Sequence, residues 1–466
     1  MISSVLIANR GEIACRIIRA CRDLNLRTVA VYSDADAQSM HKEMADVAVH
    51  IGAAPAAQSY LDADKVLAAG CTAGADAVHP GYGFLSENTS FARAAAAAGL
   101  TWIGPNPDTI DAMGDKARAR QIAQDSGVPV LPGSGRLDPG RPSTWQTEAQ
   151  AVGYPLLVKA VGGGGGIGMK RVDGPTELQA TIESAQTLAL KAFGQPEVYL
   201  ERYIVRARHI EIQVFGWGDG TVVHLFEREC SVQRRFQKII EESPAPGLAS
   251  AMVAQMADAA IALARAQRYS GAGTVEFIVD ADTKEFFFLE MNTRIQVEHA
   301  VTEMITGWDL VQEQIRVAAG VSTPRTQTDI RRHGAAIECR LYAENPAKNF
   351  FPSPGPLTRF SLPPASPELR VDCGVREGDK VTPYYDPMIA KLIAYGADRA
   401  SALENMEVAL RSVHITGLHH NTTFLRAVLA HPQFMAGEVD TSFVERERHV
   451  LVSRIGADGL APMEPA

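Results

Sequence analysis

Residues 1–114 constrain the fold more than any other stretch of this chain, because short apolar runs alternate there with helical patterns. SVLIA, RTVAVYS, VAVHI, ADAVHPG and LTWIG predict successive strands, and Ile13–Leu24, Tyr60–Ala69 and Phe91–Ala98 predict helices between them. That βαβ rhythm predicts an open parallel sheet. In such sheets ligands sit outside the carboxyl ends of the strands. Asn9-Arg10-Gly11-Glu12 and His79-Pro80-Gly81-Tyr82-Gly83 both fall at that end. On position alone, ordinary turn chemistry accounts for these clusters as well as function does.

The chain has 466 residues, and a length of about 150 residues per domain predicts about three domains. Hydrophobic residues at 46% and charged residues at 21% exclude a disordered or fibrous protein. A net charge of -9 provides no bulk basic surface for nucleic acid or an anionic membrane, although a local basic pocket remains allowed. Cys15, Cys21, Cys71, Cys230, Cys339 and Cys373 form no CxxC pair. They read as buried, reduced thiols, and so as a cytoplasmic chain. No apolar run approaches the roughly 20 residues of a membrane span. The N-terminal apolar run is short and is followed by Glu12 and Asp23, unlike a targeting segment.

From Asp115 the texture changes. A helix over Lys116–Ser126 leads through Pro/Gly-rich loops to a strand over Tyr154–Ala160 and the run Gly162–Gly166. Further strands are expected at 197–204, 209–218, 221–231, 274–280 and 285–292, with helices over Ala249–Tyr269 and Leu310–Ala319. Val321–Arg332 reads as a polar linker. The last part, 333–446, opens with the strand AAIECRLYA and ends in helices over Arg399–Arg411 and Thr422–Ala430. The closing ADGLAPMEPA reads as a disordered tail.

Gly163, Gly165 and Gly168 satisfy GxGxxG, but a dinucleotide fingerprint needs a helix directly after it. Met169–Val172 reads as a strand, and Met169 stands where a Walker A loop requires Lys. What remains is a strand–glycine turn–strand hairpin: a plain flexible loop, or a lid whose backbone N–H groups close over phosphates. Lys159, ending the preceding strand, favours the lid.

TVEFIVD and EFFFLEMN suit an antiparallel hairpin centred near residue 283, which sets Glu276 opposite Glu290 with Asn292 on the same face. Two carboxylates and an amide in an apolar context call for a cation, and oxygen ligands suit Mg2+. The other reading is a solvated strand face. Arg294, Gln296 and Glu298 alternate just beyond, so an extended segment points all three the same way. Arg clamps a small oxyanion and a neighbouring carboxylate takes a proton; a surface charge ladder is the alternative. The cluster Gln233–Lys238 supplies anion contacts or is an exposed strand edge.

The strings IANRGEIACRIIRA, HPGYGFLSEN, KAVGGGGGIGMK, QRRFQKIIEESPAP, FLEMNTRIQVEHAVTE, RLYAENPAKNFFPSPG and YYDPMIAKLI occur in that order. Together they resemble the biotin carboxylase component of biotin-dependent carboxylases, within the ATP-grasp superfamily, over residues 1 to 446. The resemblance implies a multidomain α/β and α+β fold. An N-terminal open parallel α/β sheet (1–114) is followed by an ATP-grasp region with a mobile Gly-rich lid (115–330, lid about 131–204) and a C-terminal α+β domain (331–446), leaving 447–466 as a tail. It implies carboxylation of carrier-borne biotin from MgATP and bicarbonate through carboxyphosphate.

The resemblance also implies roles for single residues. Lys116 and Lys159 bind phosphates, and the lid with Gly164, Gly165 and Gly166 closes over them. Glu201, Arg202 and Ile204 meet the adenine, and His209 and Gln233 the ribose. Glu276, Glu290 and Asn292 hold Mg2+, or Mn2+ in its place. Lys238, Arg294, Gln296 and the Val297 backbone cradle bicarbonate, with Glu298 as its base. Arg340 stabilises the biotin enolate and Tyr82 lines the biotin pocket. Implied partners are a biotin carboxyl carrier protein or domain, a carboxyltransferase component and a second copy in a homodimer.

Phe236 stands where many members carry His, Ile167 and Lys170 replace frequent lid residues, and Arg202 replaces a common Lys. None of these departures touches Glu276, Glu290, Lys238, Arg294, Glu298 or Arg340. An AMKM-type acceptor lysine and a transferase domain are absent from the 466 residues, so biotin is expected on a partner. The expected final acceptor is an acyl-CoA. A urea- or pyruvate-type acceptor, another ATP-grasp ligase, and a silent ATP-binding scaffold are the alternatives.

Overall fold

The computed structural model describes residues 2–161, 169–193 and 195–457. The chain divides into two compact units: 1–128 with 209–277 and 290–466, and 129–208 with 278–289.

The larger unit opens with five parallel strands, β1 (Ser4–Ile7), β2 (Arg27–Tyr32), β3 (Val47–His50), β4 (Ala77–His79) and β5 (Thr101–Trp102). Their order is β3-β2-β1-β4-β5, so the chain reverses direction across the sheet between β1 and β4. Val5, Leu6, Ile7, Val29, Ala30 and Val31 are fully buried, as expected for strands covered on both faces. Helix α1 (Gly11–Asp23) starts after the three residues that follow β1. Gly374 can only be glycine there, because a Cβ would stand 2.3 Å from the Glu12 nitrogen at the start of α1.

The larger unit also carries an eight-stranded sheet. Its spatial order is Phe286–Asn292, Ser270–Asp280, Ala207–Trp217, Val222–Arg234, Gln237–Ser243, Ala335–Tyr342, Met388–Gly396, Leu369–Cys373. Helices Arg399–Arg411 and Thr422–Leu429 bury Ala402, Met406, Leu410, Phe424 and Val428 in the core that covers Ile337, Cys339, Leu341 and Leu392.

The smaller unit holds four antiparallel strands in the order Gly133–Arg136, Val198–Arg202, Leu156–Ala160, Lys170–Val172. Two helices, Pro142–Val152 and Leu178–Phe193, pack on it through Trp145, Ala149, Leu178, Ile182, Ala185 and Ala189.

Several expectations are corrected. The sequence reading assigned no helix between Val172 and Glu197, yet Leu178, Ile182, Ala185 and Ala189 recur at helical spacing and form one. Pro107–Gly114 and His299–Thr306 are further unassigned helices. Arg294–Glu298 is not extended: it bends, and Glu298 occupies the N-cap of the helix His299–Thr306 with φ -81° and ψ 8°. Gln233–Lys238 is not one strand edge but a hairpin tip. Arg234 pairs with Gln237, and Arg235 and Phe236 both take left-handed φ, as a tight two-residue turn requires. The helix Phe443–Ala457 continues past 446, where the tail was expected to begin. The glycine run 162–168, with Gly164, Gly165 and Gly166, and residues 458–466 lie outside the described residues.

Candidate active site

The two clusters at the sheet's switch point are joined by one side chain. Asn9 Nδ2 donates to both Pro80 O and Tyr82 O, each at 2.8 Å, and Asn9 Oδ1 accepts the Arg10 N–H at 2.9 Å. Gly81 is left-handed, and a Cβ there would stand 3.0 Å from Asn9 Nδ2, so the loop closes down on this amide. The Tyr82 hydroxyl donates to Glu12 Oε2. Both residues line a cavity of about 400 Å3, together with Val297, Arg340, Tyr342 and Tyr385.

Arg340 links that cavity to a buried charge cluster. Its Nη2 lies 2.9 Å from Glu298 Oε2 and 2.5 Å from Glu241 Oε1. Lys238 Nζ contacts three carboxylates: Glu298 Oε1 at 2.7 Å, Glu211 Oε2 at 2.6 Å and Glu276 Oε1 at 2.8 Å. Arg228, fully buried, donates to Glu211, Gln213, Thr302, Gln296 and Thr274. Burial alone raises a carboxyl, but Lys238, Arg340 and Arg228 together hold Glu298 well below its ordinary value. Burial opposes the Lys238 charge as well, and Glu211, Glu276 and Glu298 outweigh it, so Lys238 stays an ammonium.

Glu276 is the hub of a second group. Its Oε1 also accepts Asn292 Nδ2 and Gln296 Nε2, both at 2.8 Å, and its Oε2 lies 2.8 Å from His209 Nε2. His209 Nδ1 lies 2.8 Å from Gln233 Nε2. Among the described residues the Glu290 carboxylate has no hydrogen bond or ion pair, and burial, then the Glu276 charge, raise it above its ordinary value. A half-buried carboxylate with no ion-pair partner, raised by its burial and by the charge of a second one, fits an oxygen-coordinated divalent cation, with Asn292 Oδ1 as a third donor.

Arg294 donates to Glu87 Oε2 and to Asn292 Oδ1, both at 2.9 Å, so it is held next to the candidate metal ligands despite the bend. Lys116 begins the helix Lys116–Asp125, and its charge reaches Glu290. In the smaller unit Lys159 and Glu201 form an ion pair from adjacent strands. Arg202 Nε donates to Val152 O at 3.2 Å, and Ile204 packs with Leu131 and Phe287.

Sequence reasoning placed Asn9 and Glu12 in a candidate cluster without a role, and missed Glu87, Glu211, Arg228, Glu241 and Lys391. For Glu211 and Gln213 a signal existed, since they alternate with isoleucine and valine in HIEIQVF. Arg228 and Glu87 carried none, because their partners lie 15 to 74 and 206 to 207 positions away along the chain.

Among the described residues no helix is long and apolar enough to cross a membrane. Residues 1–110 match the biotin carboxylase N-terminal domain, 115–326 the carbamoyl-phosphate synthase L chain ATP-binding domain, and 338–446 the biotin carboxylase C-terminal domain. The chain is 48% identical over 446 residues to biotin carboxylase 1 of Bacillus subtilis, covering 96% of this chain and 98% of that protein. It is 50% identical over 452 residues to the mitochondrial methylcrotonoyl-CoA carboxylase subunit alpha of Dictyostelium discoideum. That match takes 97% of this chain but spans only 64% of the relative's length. A solved structure of the biotin carboxylase domain dimer of Hydrogenobacter thermophilus 2-oxoglutarate carboxylase, in complex with MgADP, ADP and bicarbonate, superposes with a TM-score of 0.90. It shares 43% identity over 97% of this chain and 99% of that one. With three consecutive domain matches and an alignment that covers nearly all of both this chain and a biotin carboxylase, the chain belongs to the biotin carboxylase family.

Proposed function

We propose that this chain carboxylates biotin carried on a partner protein, using MgATP and bicarbonate, as the first half-reaction of an acyl-CoA carboxylase. The observation that carries this reading is Arg340, which lines the cavity with Tyr82 and also holds the Glu298 carboxylate. One arginine thereby serves both an anion site and a site for a weakly nucleophilic ring.

Bicarbonate is a poor nucleophile, and Glu298 acts as its base. Lys238 and Arg340 neutralise Glu298 and depress its proton affinity. An incoming bicarbonate competes for those cations with help from Arg294, Gln296 and the Val297 backbone. As Glu298 loses its partners, its proton affinity rises toward the range a base needs. The bicarbonate oxygen then attacks the γ-phosphorus, ADP leaves, and the product is carboxyphosphate. When carboxyphosphate breaks down, the released phosphate takes the proton from the biotin ureido nitrogen, which attacks the CO2. Arg340 faces the developing enolate oxygen.

The proposed nucleotide contacts are Lys116 and Lys159 for the phosphates, Glu201, Arg202 and Ile204 for the adenine, and His209 and Gln233 for the ribose. Glu276, Glu290 and Asn292 hold Mg2+, which neutralises phosphate charge when bound. The working divisions are 1–114, 115–330 and 331–446. The unpaired state of all six cysteines supports a cytoplasmic setting. A carrier protein or domain, a carboxyltransferase and a second copy of the chain are the partners. The acyl-CoA acceptor is supported by the methylcrotonoyl- and propionyl-CoA carboxylase relatives. The likeness to the 2-oxoglutarate carboxylase domain supports a keto-acid acceptor as the second reading.

ATP hydrolysis measured with and without bicarbonate and free biotin tests the function. Dependence on both is expected. Turnover without biotin points to another ligase, and no turnover to a binding scaffold.

A further inference from the structure

We propose that Lys391 is a positioning residue that sets the Val297–Glu298 turn and, through Glu12, the Tyr82 wall of the cavity; the assignment rests on the function proposed above. Lys391 lies on the strand Met388–Gly396, directly opposite Arg340 on one neighbouring strand and Asp372 on the other, so the three side chains share a face. It is fully buried. Its Nζ donates to Val297 O at 2.6 Å and lies 3.2 Å from Glu12 Oε1 and 3.8 Å from Asp372 Oδ2. Val297, Glu12 and Arg340 all line the cavity, and Lys391 stands behind that wall.

The turn needs such a fixture. Residues 293–298 lie outside any helix or strand, so their carbonyls must be satisfied one at a time. Gln296 O takes the His299 ring Nδ1 at 2.7 Å and the His299 N–H at 3.3 Å. Glu298 O takes the Val301 N–H at 3.2 Å. Val297 O, between them, takes Lys391. The Val297 carbonyl and the Glu298 N–H share one peptide plane, so fixing the carbonyl fixes where the Glu298 side chain begins.

A buried ammonium is a poor way to gain stability, since apolar residues of similar volume often do as well. Its geometry is what it contributes. One charged group here ties three separate segments: the Val297 turn, the start of α1 at Glu12, and the strand carrying Asp372. Glu12 in turn receives the Tyr82 hydroxyl, so the candidate base and the biotin-side tyrosine are set by the same nitrogen.

The test uses Lys391→Met and, because that change strands the Glu12 carboxylate, the double variant Lys391→Met/Glu12→Gln. In whichever folds, kcat/KM for bicarbonate is expected to fall about 10²-fold, as for a misplaced reacting group. The dissociation constant for ADP is expected to stay within about twofold, since no nucleotide contact is touched. A crystal structure of the variant should show the Val297 carbonyl rotated and Glu298 displaced. Unchanged bicarbonate kinetics, an equal loss of ADP affinity, or an unmoved turn each overturns the proposal. If the unmodified chain shows no bicarbonate- and biotin-dependent turnover, the proposed function falls, and the turn geometry in the variant structure still decides the role of Lys391.

Discussion

Lys238 Nζ lies 2.7 Å from Glu298 Oε1, and Arg340 Nη2 reaches the other oxygen of the same carboxylate at 2.9 Å. The Glu298 carboxylate is therefore clamped by one cation on each oxygen. Under the proposed function, this clamp opens before Glu298 acts as a base.

Glu298→Gln keeps the hydrogen-bond acceptor but not the proton affinity. Turnover should fall about 10²- to 10⁴-fold. Calorimetric ADP affinity should be little changed, because Glu298 contacts Lys238 and Arg340 rather than a nucleotide-binding group. A variant that keeps most of its turnover removes Glu298 from the role of base.

Glu290→Gln should separate stability from function. Burial and the Glu276 charge disfavour the Glu290 carboxylate, so losing its charge leaves the metal-free melting temperature unchanged or higher. Mg2+-dependent nucleotide affinity should drop about tenfold, as expected when one carboxylate ligand is lost. A lower melting temperature with unaltered Mg2+ dependence contradicts the ligand assignment.

Asn9→Ala removes two donated bonds that tie the loop after β1 to the loop after β4. One buried and one half-buried carbonyl lose their partner, at a cost of about 2–4 kcal/mol. Urea unfolding should show that loss. The KM for free biotin should rise, because Tyr82 is carried on the loosened loop.

His41 gives a pH dependence. It is fully buried, accepts the Gly11 N–H on Nδ1 and faces Val31 O with Nε2, an arrangement that requires the neutral ring. Burial lowers it to about 4, with the Asp36 charge opposing and the Arg10 charge assisting. Between pH 6.5 and 4 the unfolded chain binds the proton and the folded chain does not, so stability falls as pH falls. The slope is about 1.4 kcal/mol per pH unit for one such group. Urea midpoints at several pH values should show His41→Gln with a shallower decline across this window.

Glu338 works in the opposite direction. It faces Glu241 across adjacent strands, and burial raises it above its ordinary value. Its folded form keeps the proton after the unfolded form has lost it, so its stabilising contribution is present at low pH and disappears as pH rises. Glu338→Gln mimics the protonated state. Its stability advantage over the unmodified chain should grow from pH 5 to pH 8, read by the same urea titrations, and a constant difference across that range contradicts it.

The parallel sheet was legible because strand burial on both faces writes itself as continuous apolar runs, and SVLIA and RTVAVY became β1 and β2. The helix Leu178–Phe193 was equally written, in its spacing of buried Leu, Ile and Ala, and was missed beside a more conspicuous glycine run. The grouping of Glu276 with Asn292 followed from period-two alternation and stands as a 2.8 Å hydrogen bond. The same alternation misled at Arg294–Glu298, where the His299 ring and backbone bend the segment. Periodicity reports regular backbone, and this turn is held by side chains from elsewhere.

What the sequence determined by itself was local and repetitive: the βαβ rhythm, the polar residues set into apolar strands, and an ordered series of motifs that carries family membership. The tertiary structure alone decided which charges meet. Arg340 reaches Glu298 across 42 positions, Arg16 reaches Glu303 across 287, and Lys391 reaches Val297 across 94. Buried ion pairs form between residues that the chain topology brings together, and no local pattern encodes their partners. The balance that keeps Lys238 charged and Glu298 poorly basic is therefore a property of the folded cluster.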